Sequence, residues 1–508
     1  NTAMKHIAIY NDWIRHHATY RAHHQALVDD AKAVTRTYAE LDRRVDALAF
    51  SLQVQYGVQR GDRVLLLSKS CTEAFELQFA CARIGAIFVP ANWRLSAAEL
   101  AWIAADCAPR VVFHDAEFRQ LCGAELPEVE IHPSAACDSA YEHCAAREGR
   151  ADPVTVEDED PWMILYTSGT TGRPKGAMLS YRMMHLNAVS WLSPSRITDR
   201  AVFLCAMPTF HTGGLNCYSN AILYAGGTVI VQRDYDAARA LQLLADADVG
   251  ITHFFGTPTH YAMLTQVQDF ETTRLPALEI AGMGGSPSSN ALIRELIATG
   301  LPLQPAYGMT EIGPAIFVTE MHDVQRKVGS CGHPTMHVQM KIMGADGREC
   351  PTGEPGELWV RGPVCMSGYW NNPDATRLSF EDGWFRTGDG ARIDADGYVY
   401  IVDRLKDMFI SGGENVYPAE IERVLGDHPG VLLSAVIGMA DERWGEVGAA
   451  YVVLKSSGRA TTVDELLAHC RERLARYKVP KTLVILDDLP RNASGKILKR
   501  ALAASLNP

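Results

Sequence analysis

Apolar and polar positions along the first 110 residues repeat with helical and strand spacing in turn. Thr37 and Glu40 form a capping-box pattern, and apolar side chains then recur every three or four positions as far as Leu52, which predicts a helix. A second helix is expected over 72–83, ending at Gly85. Three short apolar runs predict buried strands: 63–68, 87–90 and 111–113. This alternation predicts a mainly parallel sheet covered by helices on both faces.

The pattern changes three times in the rest of the chain. The stretch from about 121 to 160 is acidic and weakly periodic, which predicts a surface excursion, and a second α/β pattern follows from about 162 to 320. Glycines and short apolar runs from about 328 to 401 favour a β-barrel-like subdomain. We therefore predict an α/β multidomain protein. Its large N-terminal domain (1–405) would hold two α/β-layered subdomains and the β-barrel-like subdomain, followed by a small mobile α+β C-terminal domain (406–508).

The composition is that of a globular protein and disfavours two broad classes. The 508 residues exceed the usual size of one core, and 47% are hydrophobic and 21% charged. A net charge of −12 argues against a nucleic-acid partner, which requires a basic surface. No apolar run reaches the ~20 residues needed to span a bilayer, and the N-terminus lacks the layout of a signal peptide.

The twelve cysteines fit the same picture, because they form no CxxC pair and show no zinc-ligand spacing. We expect reduced thiols in a cytoplasmic protein. A homodimer is compatible with the sequence, which does not determine the oligomeric state.

The segment 166–176 (YTSGTTGRPKG) concentrates hydroxyls, glycines and a lysine directly after an apolar strand at 162–165. Glycines let the backbone approach a ligand, hydroxyls and free N–H groups can surround phosphate oxygens, and lysine adds a point charge. The segment is not a Walker A loop, because its spacing differs. A polar surface turn is the alternative. The residues expected to bind ATP phosphates are Thr167, Ser168, Gly169, Thr170, Thr171 and Lys175.

This segment and the motifs that follow it resemble those of the adenylate-forming superfamily: acyl-CoA synthetases, luciferases and nonribosomal-peptide adenylation domains. The later motifs are 307–311 (YGMTE), 387–389 (TGD), 403–407 (DRLKD), 411–422 (SGGENVYPAEIE) and 490–497 (PRNASGKI). The resemblance covers nearly the whole chain. It implies an ATP- and Mg²⁺-dependent acid–thiol ligase that makes an acyl-adenylate and passes the acyl group to coenzyme A.

The resemblance also implies the roles of residues around ATP. Thr310 would contact the α-phosphate, and Glu311 would hold Mg²⁺, because a carboxylate beside a phosphate loop repels ATP unless a hard cation lies between them. Tyr307 would stack on adenine, and Gly284 belongs to a glycine-rich segment, 282–286, that resembles the adenine and acyl wall. Taken alone, Glu311 would be a solvated surface acid and Tyr307 a core residue.

Three further residues complete the expected nucleotide site. The resemblance gives Asp389 to the ribose hydroxyls and Arg404 to ribose and phosphate. Lys496 would bridge the substrate carboxylate and the α-phosphate and stabilise the pentavalent transition state. Without its motif Lys496 would be an exposed tail lysine. Lys406 matches the hinge about which the small domain rotates after adenylation.

Two more groups follow from the same resemblance. The residues expected to shape the coenzyme A tunnel are Gly412, Gly413, Glu414 and Asn415. The expected acyl pocket contains His211, Gly213, Gly214, Ala281, Met283 and Met309, with Phe254 and Phe255 as further apolar walls. His211 is counted as catalytic with Lys496, Thr310 and Glu311, and the alternative is a buried, hydrogen-bonded histidine. The small residues of the pocket are taken to imply open space.

The acid is expected to be monocarboxylic with an apolar body, because these stretches carry no lysine or arginine to pair a second carboxylate. Medium- or long-chain fatty acids are the first candidates, and 4-hydroxycinnamate, ferulate or another aryl acid is the alternative. Pro305 and Ala306 precede Tyr307 where close relatives usually have Gln-Gly. This departure concerns the residues expected to contact adenine and to form the floor of the acyl pocket.

Four other classes are less well supported. A nonribosomal adenylation domain would be followed by a carrier domain, for which 508 residues leave no room. A luciferase-like oxygenase shares the motifs, and nothing in the sequence singles it out. A hydrolase is disfavoured because no G-x-S-x-G elbow occurs. A non-catalytic nucleotide-binding module would be expected to have lost Lys496 or Glu311, and both are present.

Overall fold

The computed structural model describes residues 12–121, 126–132, 134, 139–152, 154–167, 174–314, 316–404, 407–411, 414–456, 461–492 and 495–504. Its first part contains α1 (Trp13–Tyr20), β1 (Gln25–Asp29), β2 (Val34–Thr37), α2 (Tyr38–Val54), β3 (Arg63–Leu67), α3 (Glu73–Ile84), β4 (Ile87–Pro90), α4 (Ala97–Cys107), β5 (Val111–Asp115), β6 (Glu128–Ile131), α5 (Ala140–Ala145), β7 (Pro161–Thr167), β8 (Lys175–Ser180) and α6 (Tyr181–Leu192).

The second part begins at β9 (Val202–Cys205) and a π-helix (Gly213–Cys217). It continues through α7 (Ser219–Ala225), β10 (Thr228–Val231), α8 (Ala237–Ala245), β11 (His253–Gly256), α9 (Pro258–Leu264), β12 (Ile280–Met283), α10 (Asn290–Ala298), β13 (Leu303–Tyr307), a 3₁₀ turn (Thr310–Ile312), β14 (Phe317–Val318) and β15 (His333–Pro334).

The remaining elements fall into two blocks. The first contains β16 (Gln339–Met343), β17 (Gly356–Arg361), β18 (Gly368–Tyr369), α11 (Pro373–Ser379), β19 (Phe380–Glu381), β20 (Trp384–Ile393) and β21 (Val399–Arg404). The second contains β22 (Phe409–Ser411), β23 (Glu414–Val416), α12 (Pro418–Gly426), β24 (Val431–Asp441), β25 (Gly445–Leu454), α13 (Val463–Arg473), β26 (Thr482–Ile485) and α14 (Lys499–Ala504).

Four sheets form within the described part of the chain. One has the order β18-β8-β7-β4-β3-β5-β6 and is parallel from β7 to β6. A larger one has the order β15-β14-β13-β12-β11-β9-β10-β1-β2 and is parallel from β13 to β1. One continuous core joins these two sheets, and α3 lies in it with nearly every side chain buried. The α/β-layered prediction is therefore confirmed, and the end of β7 in one sheet meets the turn after β13 in the other at a boundary that we call the crevice.

The elements predicted for the first 110 residues are present. The Thr37 side chain and Glu40 form both hydrogen bonds of the capping box at the start of α2. Helix α3 ends at Gly85, whose φ of +65° is left-handed and favours glycine. The predicted strands correspond to β3, β4 and β5, which pair in parallel as expected.

Two sequence predictions about this region are wrong. The stretch 121–160 is more than a surface excursion: β6 is the edge strand of the first sheet, and α5 buries Tyr141 and Cys144 against its neighbours. The second α/β pattern was expected to begin near 162, yet β7 and β8 belong to the first sheet, and the second sheet combines β1 and β2 with β9–β15. Neighbouring strands are chosen by tertiary packing, which the local pattern of one segment does not record.

The last two sheets belong to the β-rich block and to the C-terminal domain. Strands β16, β17, β19, β20 and β21 form an antiparallel sheet, consistent with the β-rich prediction for 328–401. Strands β22–β26 form the sheet of a smaller α+β domain, with α12 and α13 against one of its two apolar clusters and α14 against the other. Within the described residues, no helix combines the length and apolar character required to cross a bilayer.

Candidate functional site

The strand that leads into the predicted phosphate loop contacts, at its last residue, the turn predicted to bind the metal. Strand β7 ends at Thr167, and the 3₁₀ turn that follows β13 carries Thr310 and Glu311, both buried. The Thr167 hydroxyl donates to Glu311 Oε1 over 3.2 Å, although 144 positions separate the two residues. Two motifs found separately in the sequence therefore lie side by side at the crevice.

Glu311 is surrounded by hydroxyls rather than by cations. Its Oε1 also accepts a hydrogen bond from the Tyr369 hydroxyl at 3.1 Å, and the Lys175 ammonium lies 5.2 Å from the centre of the Tyr369 ring. Among the described residues Glu311 has no ion-pair partner, and no group of three or more metal-binding side chains occurs. A single buried carboxylate with hydroxyl oxygens fits Mg²⁺, which takes one or two carboxylates and completes its shell with phosphate and water.

Asp389 and Arg404, the residues predicted for the ribose, contact each other, and Tyr307, predicted to stack on adenine, joins them. The Tyr307 hydroxyl donates to Asp389 Oδ2 at 2.5 Å, and Arg404 Nε lies 3.5 Å from Asp389 Oδ1. Asp389 and Arg404 are directly opposite each other on β20 and β21, which explains their contact. Burial and the neighbouring charge of Asp389 raise the pKa of Tyr307, so its hydroxyl stays protonated and remains a donor.

Gly284 is required by close packing between strands. A Cβ at this position would lie 2.7 Å from the carbonyl oxygen of Ala306, too close for any other residue without a backbone shift. Ala306 belongs to the unusual Pro305-Ala306 pair, and Met283 is opposite Pro305 in the sheet. The glycine-rich segment thus contacts, through Gly284, the backbone of Ala306, one of the two residues that depart from the family pattern.

The acyl motif, residues 208–214 (PTFHTGG), leads into the π-helix, and its two glycines serve close packing rather than the open space expected from the sequence. A Cβ on Gly214 would lie 2.2 Å from the carbonyl oxygen of Pro208, so glycine lets the π-helix pack on this backbone. A Cβ on Gly213 would meet only the tip of Met207, at 2.7 Å. The small side chains therefore permit tight packing, and they do not by themselves open a pocket.

His211 lies where the acyl motif meets the C-terminal tail. Its Nδ1 accepts the Gly213 N–H at 3.1 Å. Burial first, and the positive charge of Lys496 second, lower the pKa of His211 to about 4, so the ring is neutral at physiological pH. Lys496 thus acts electrostatically on His211, and its predicted contact with the substrate carboxylate stays a prediction.

The apolar residues of the expected pocket fall on two faces of the sheet. Ala281 and Met283 pack with Phe254 in one cluster, whereas Phe255 packs with Trp191 and Tyr218 in the main core. Met309 is half-buried against that main core. Adjacent residues of a strand point to opposite faces, so Phe254 and Phe255 do not line one wall together as expected.

The loop that carries Lys496 docks on the start of α9. Lys496 N–H donates to Asn492 Oδ1 at 2.9 Å, and Gly495 adopts a φ of +78°. A Cβ on Gly495 would lie 3.1 Å from both Thr257 Oγ1 and His260 Cε1, which shows how closely the loop approaches α9. Burial and the charge of Arg491 lower the pKa of His260 to about 4.

Three arginines at this site were missed by sequence reasoning. Arg94, Arg233 and Arg491 line a cavity of about 200 Å³ between the large domain and the Lys496 loop. Trp93 lies beside them, stacked on Phe118 with the Arg94 guanidinium 4.7 Å from its ring centre. The arginines come from three distant segments, and only Arg491 lies in a motif, 490–497, which gave it no expected role.

Several predicted residues cannot be placed in this geometry. Ser168, Gly169, Thr170, Thr171, Lys406, Gly412 and Gly413 lie outside the described residues. Glu414 and Asn415 begin β23, which pairs with β22 in the C-terminal domain. Their assignment to a coenzyme A tunnel stays a prediction.

Comparisons with known proteins show the family of the chain. A family model described as AMP-binding enzyme matches residues 14–370, and one described as the AMP-binding enzyme C-terminal domain matches residues 420–496. The feruloyl-CoA synthase of an Amycolatopsis species is 41% identical over 467 residues, which cover 91% of this chain and 92% of that protein. The long-chain-fatty-acid–CoA ligase FadD13 of Mycobacterium tuberculosis is 37% identical over 497 residues, 96% and 97% of the two chains.

Solved structures show the same architecture. The o-succinylbenzoate CoA synthetase MenE of Bacillus subtilis, in complex with its acyl-adenylate intermediate, matches with a TM-score of 0.86 and 31% identity, covering 97% of this chain and 98% of its own. ATP-bound MatB of Rhodopseudomonas palustris matches with a TM-score of 0.88 and 33% identity, covering 98% and 99%. The chain belongs to the AMP-binding enzyme family. The predicted fold class and the predicted enzyme class, an AMP-forming acid–CoA ligase, are confirmed.

Proposed function

We propose that this enzyme joins an apolar monocarboxylic acid to coenzyme A in two steps at the crevice described above. The observation that carries the proposal is the contact of Thr167 with Glu311, in a site that also unites Tyr307, Asp389 and Arg404. ATP would lie with its phosphates near Thr167 and Lys175 and its ribose at Asp389. Mg²⁺ held by Glu311 would offset the phosphate charge.

In the first step a carboxylate oxygen of the acid attacks the α-phosphorus of ATP. The new P–O bond gives the acyl-adenylate, and the bond to the β-phosphate breaks and releases pyrophosphate. Lys496 reduces the repulsion between the two anions and stabilises the charge that develops at the α-phosphate, with Thr310 as a second donor. His211 stays neutral because of its low pKa, and it adds no charge beside Lys496.

In the second step the sulfur of coenzyme A attacks the acyl carbon. The thiol proton leaves to solvent, the bond to phosphate breaks, and AMP is released with the acyl-CoA. The arginine-lined cavity supports this step, because coenzyme A is a polyanion and Arg94 and Arg233 offer guanidinium groups suited to phosphate. The Lys496 loop closes one side of the cavity. We propose rotation of the domain 406–508 about Lys406, which would withdraw this loop and bring Glu414 and Asn415 towards the thiol.

For the acid we propose a hydroxycinnamate such as ferulate, with medium- or long-chain fatty acids second. This order reverses the one inferred from the sequence, because the feruloyl-CoA synthase is 41% identical and the fatty acid ligase FadD13 is 37% identical. The apolar cluster of Ala281, Met283 and Phe254 supports an apolar acyl body in both cases.

The test is pyrophosphate release from ATP and Mg²⁺ against ferulate, 4-hydroxycinnamate, octanoate, palmitate, succinate and acetate, with and without coenzyme A. We expect the hydroxycinnamates to have the highest kcat/KM, and acetate to fall by orders of magnitude, since each buried methylene is worth roughly 0.8 kcal/mol. Succinate or acetate turned over as fast as ferulate and palmitate would refute an apolar acid pocket.

A further inference from the structure

Helix α12 of the small domain is held at both of its ends by the large domain. Asp403, near the end of β21, is buried, and its Oδ2 accepts the Ala419 N–H at 2.7 Å in the first turn of α12. The N-cap residue of this helix, Tyr417, makes no side-chain cap hydrogen bond within the described residues. Asp403 therefore supplies from the large domain the cap that the helix lacks in its own sequence.

A matching contact runs in the opposite direction at the other end of α12. Asp427, directly after the helix, accepts through Oδ1 the Ala291 N–H at 3.1 Å, in the first turn of α10 of the large domain. The N-cap residue Ser289 already binds the Leu292 N–H, so Asp427 satisfies a second free donor of α10. A Cβ on Gly426 would lie 2.5 Å from Ser289 Cβ, so the two helix ends are in tight contact.

Two ion pairs lie around these helix-end contacts in this orientation of the two domains. Lys455 of the small domain forms an ion pair of 2.7 Å with Glu295 on α10. Lys499 pairs with Glu422 at 2.7 Å and acts electrostatically on Asp403, whose pKa burial raises to about 6. Asp403 and Asp427 lie against helix N–H donors, where negative charge is favoured, and Glu295 and Glu422 are balanced by lysines.

We propose that Asp403 and Asp427 are positioning residues that form a reciprocal helix-capping clamp and hold the small domain with Lys496 at the acyl motif. This inference rests on the proposed two-step function. Rotation about Lys406 must separate Asp427 from α10 and Lys455 from Glu295, because these partners lie on opposite sides of the hinge. The clamp thus favours adenylation, and its release is a condition for the thioester step.

The test measures the two half-reactions separately in Asp427→Ala and Asp403→Ala. Adenylation is followed as acid-dependent exchange of pyrophosphate into ATP without coenzyme A, and thioester formation from supplied acyl-adenylate and coenzyme A. A single cap changes an equilibrium constant by a factor of about 2 to 30. We expect adenylation to slow within this range, while thioester formation is unchanged or faster. The matched control is Asp464→Ala, which removes an exposed acid from the first turn of α13 and should alter neither rate.

A second readout reports the domain orientation without activity. The 2.7 Å Lys455–Glu295 pair is close enough for a zero-length carbodiimide crosslink, and we expect its rate to fall about 2- to 30-fold in both clamp variants. Equal losses in both half-reactions, or an unchanged crosslink rate in Asp427→Ala, would overturn the clamp. If wild-type protein showed no exchange with any acid while the crosslink fell as expected, the proposed function would fail and the clamp would stand.

Discussion

Glu311 and Asp389 are the two buried carboxylates of the site, and their surroundings prepare them for different partners. Glu311 accepts hydrogen bonds from two neutral hydroxyls, so its negative charge is not balanced by a cation among the described residues. Asp389 is already balanced by Arg404 and by the Tyr307 hydroxyl. The first arrangement suits a metal ion and the second suits neutral sugar hydroxyls.

The role of Glu311 leads to a prediction about Mg²⁺. Glu311→Gln keeps the size of the side chain and an oxygen that accepts hydrogen bonds, but it removes the negative charge. We expect the Mg²⁺ concentration for half-maximal pyrophosphate release to rise at least about tenfold, with a fall in kcat of about 10²-fold. Glu320→Gln, an exposed residue nine positions later, serves as the control. An unchanged Mg²⁺ requirement in Glu311→Gln would contradict the metal assignment.

Lys496 leads to a prediction about one half-reaction. Lys496→Ala removes a charge that is needed only while the carboxylate attacks phosphorus. Adenylation should slow by about 10²–10³-fold, and thioester formation from supplied acyl-adenylate should stay near the wild-type rate. Arg471→Ala, an exposed cation of the same domain, should affect neither step. Parallel losses in both steps would show that Lys496 has another role.

The low pKa of His260 predicts how stability depends on pH. The unfolded chain binds a proton at this histidine below about 6.5, whereas the folded chain binds it only near pH 4. Above about pH 6.5 His260 therefore takes nothing from the free energy of unfolding. As the pH falls from about 6.5 to about 4, the free energy of unfolding declines by roughly 1.4 kcal/mol per pH unit because of this histidine.

The variant His260→Asn isolates this contribution, because its side-chain oxygen can replace Nδ1 as acceptor of the Thr257 N–H. We expect the difference in Tm between wild type and His260→Asn to be largest near pH 7.5 and to shrink towards pH 5. A Tm difference for His260→Asn that stays the same from pH 7.5 to pH 5 would contradict the assigned pKa.

At the scale of elements, the π-helix determines where the acyl motif stands. Gly214 packs against the backbone of Pro208, which cannot move independently, whereas Gly213 meets only the flexible end of Met207. Gly214→Ala should therefore destabilise the fold by about 1–3 kcal/mol and raise the KM for the acid, while Gly213→Ala should cost less than about 1 kcal/mol. Chemical denaturation and acid titration of both variants measure this contrast. Equal effects would mean that the backbone at Pro208 adjusts freely.

Sequence patterns predicted elements well where the signal is local. The capping box of Thr37 and Glu40 and the left-handed Gly85 need only a few neighbouring residues, and both are present. The stretch 121–160 was misjudged because β6 is stabilised by its pairing with β5, a contact whose strength does not appear in its own composition.

At the scale of the whole molecule, the site is made of contacts between distant positions. Tyr307 and Asp389 are 82 positions apart, and each was predicted from its own motif, so the sequence indicated the parts but not their hydrogen bond. Arg94 and Arg233 belong to no motif of the sequence, Arg491 lies in the 490–497 motif without an expected role, and only the folded chain brings the three together. The boundary between 1–405 and 406–508 and the hinge at Lys406 remain predictions, which the half-reactions of the clamp variants address.

The central claim is that the acid is activated as an acyl-adenylate, and oxygen transfer tests it most directly. Ferulate, or palmitate if it is the better substrate, is labelled with ¹⁸O in both carboxylate oxygens and turned over with ATP, Mg²⁺ and coenzyme A. Attack of the carboxylate on the α-phosphorus predicts one ¹⁸O atom in the phosphate of each AMP formed, with unlabelled pyrophosphate. Label in inorganic phosphate together with ADP, or AMP free of label, would contradict the account.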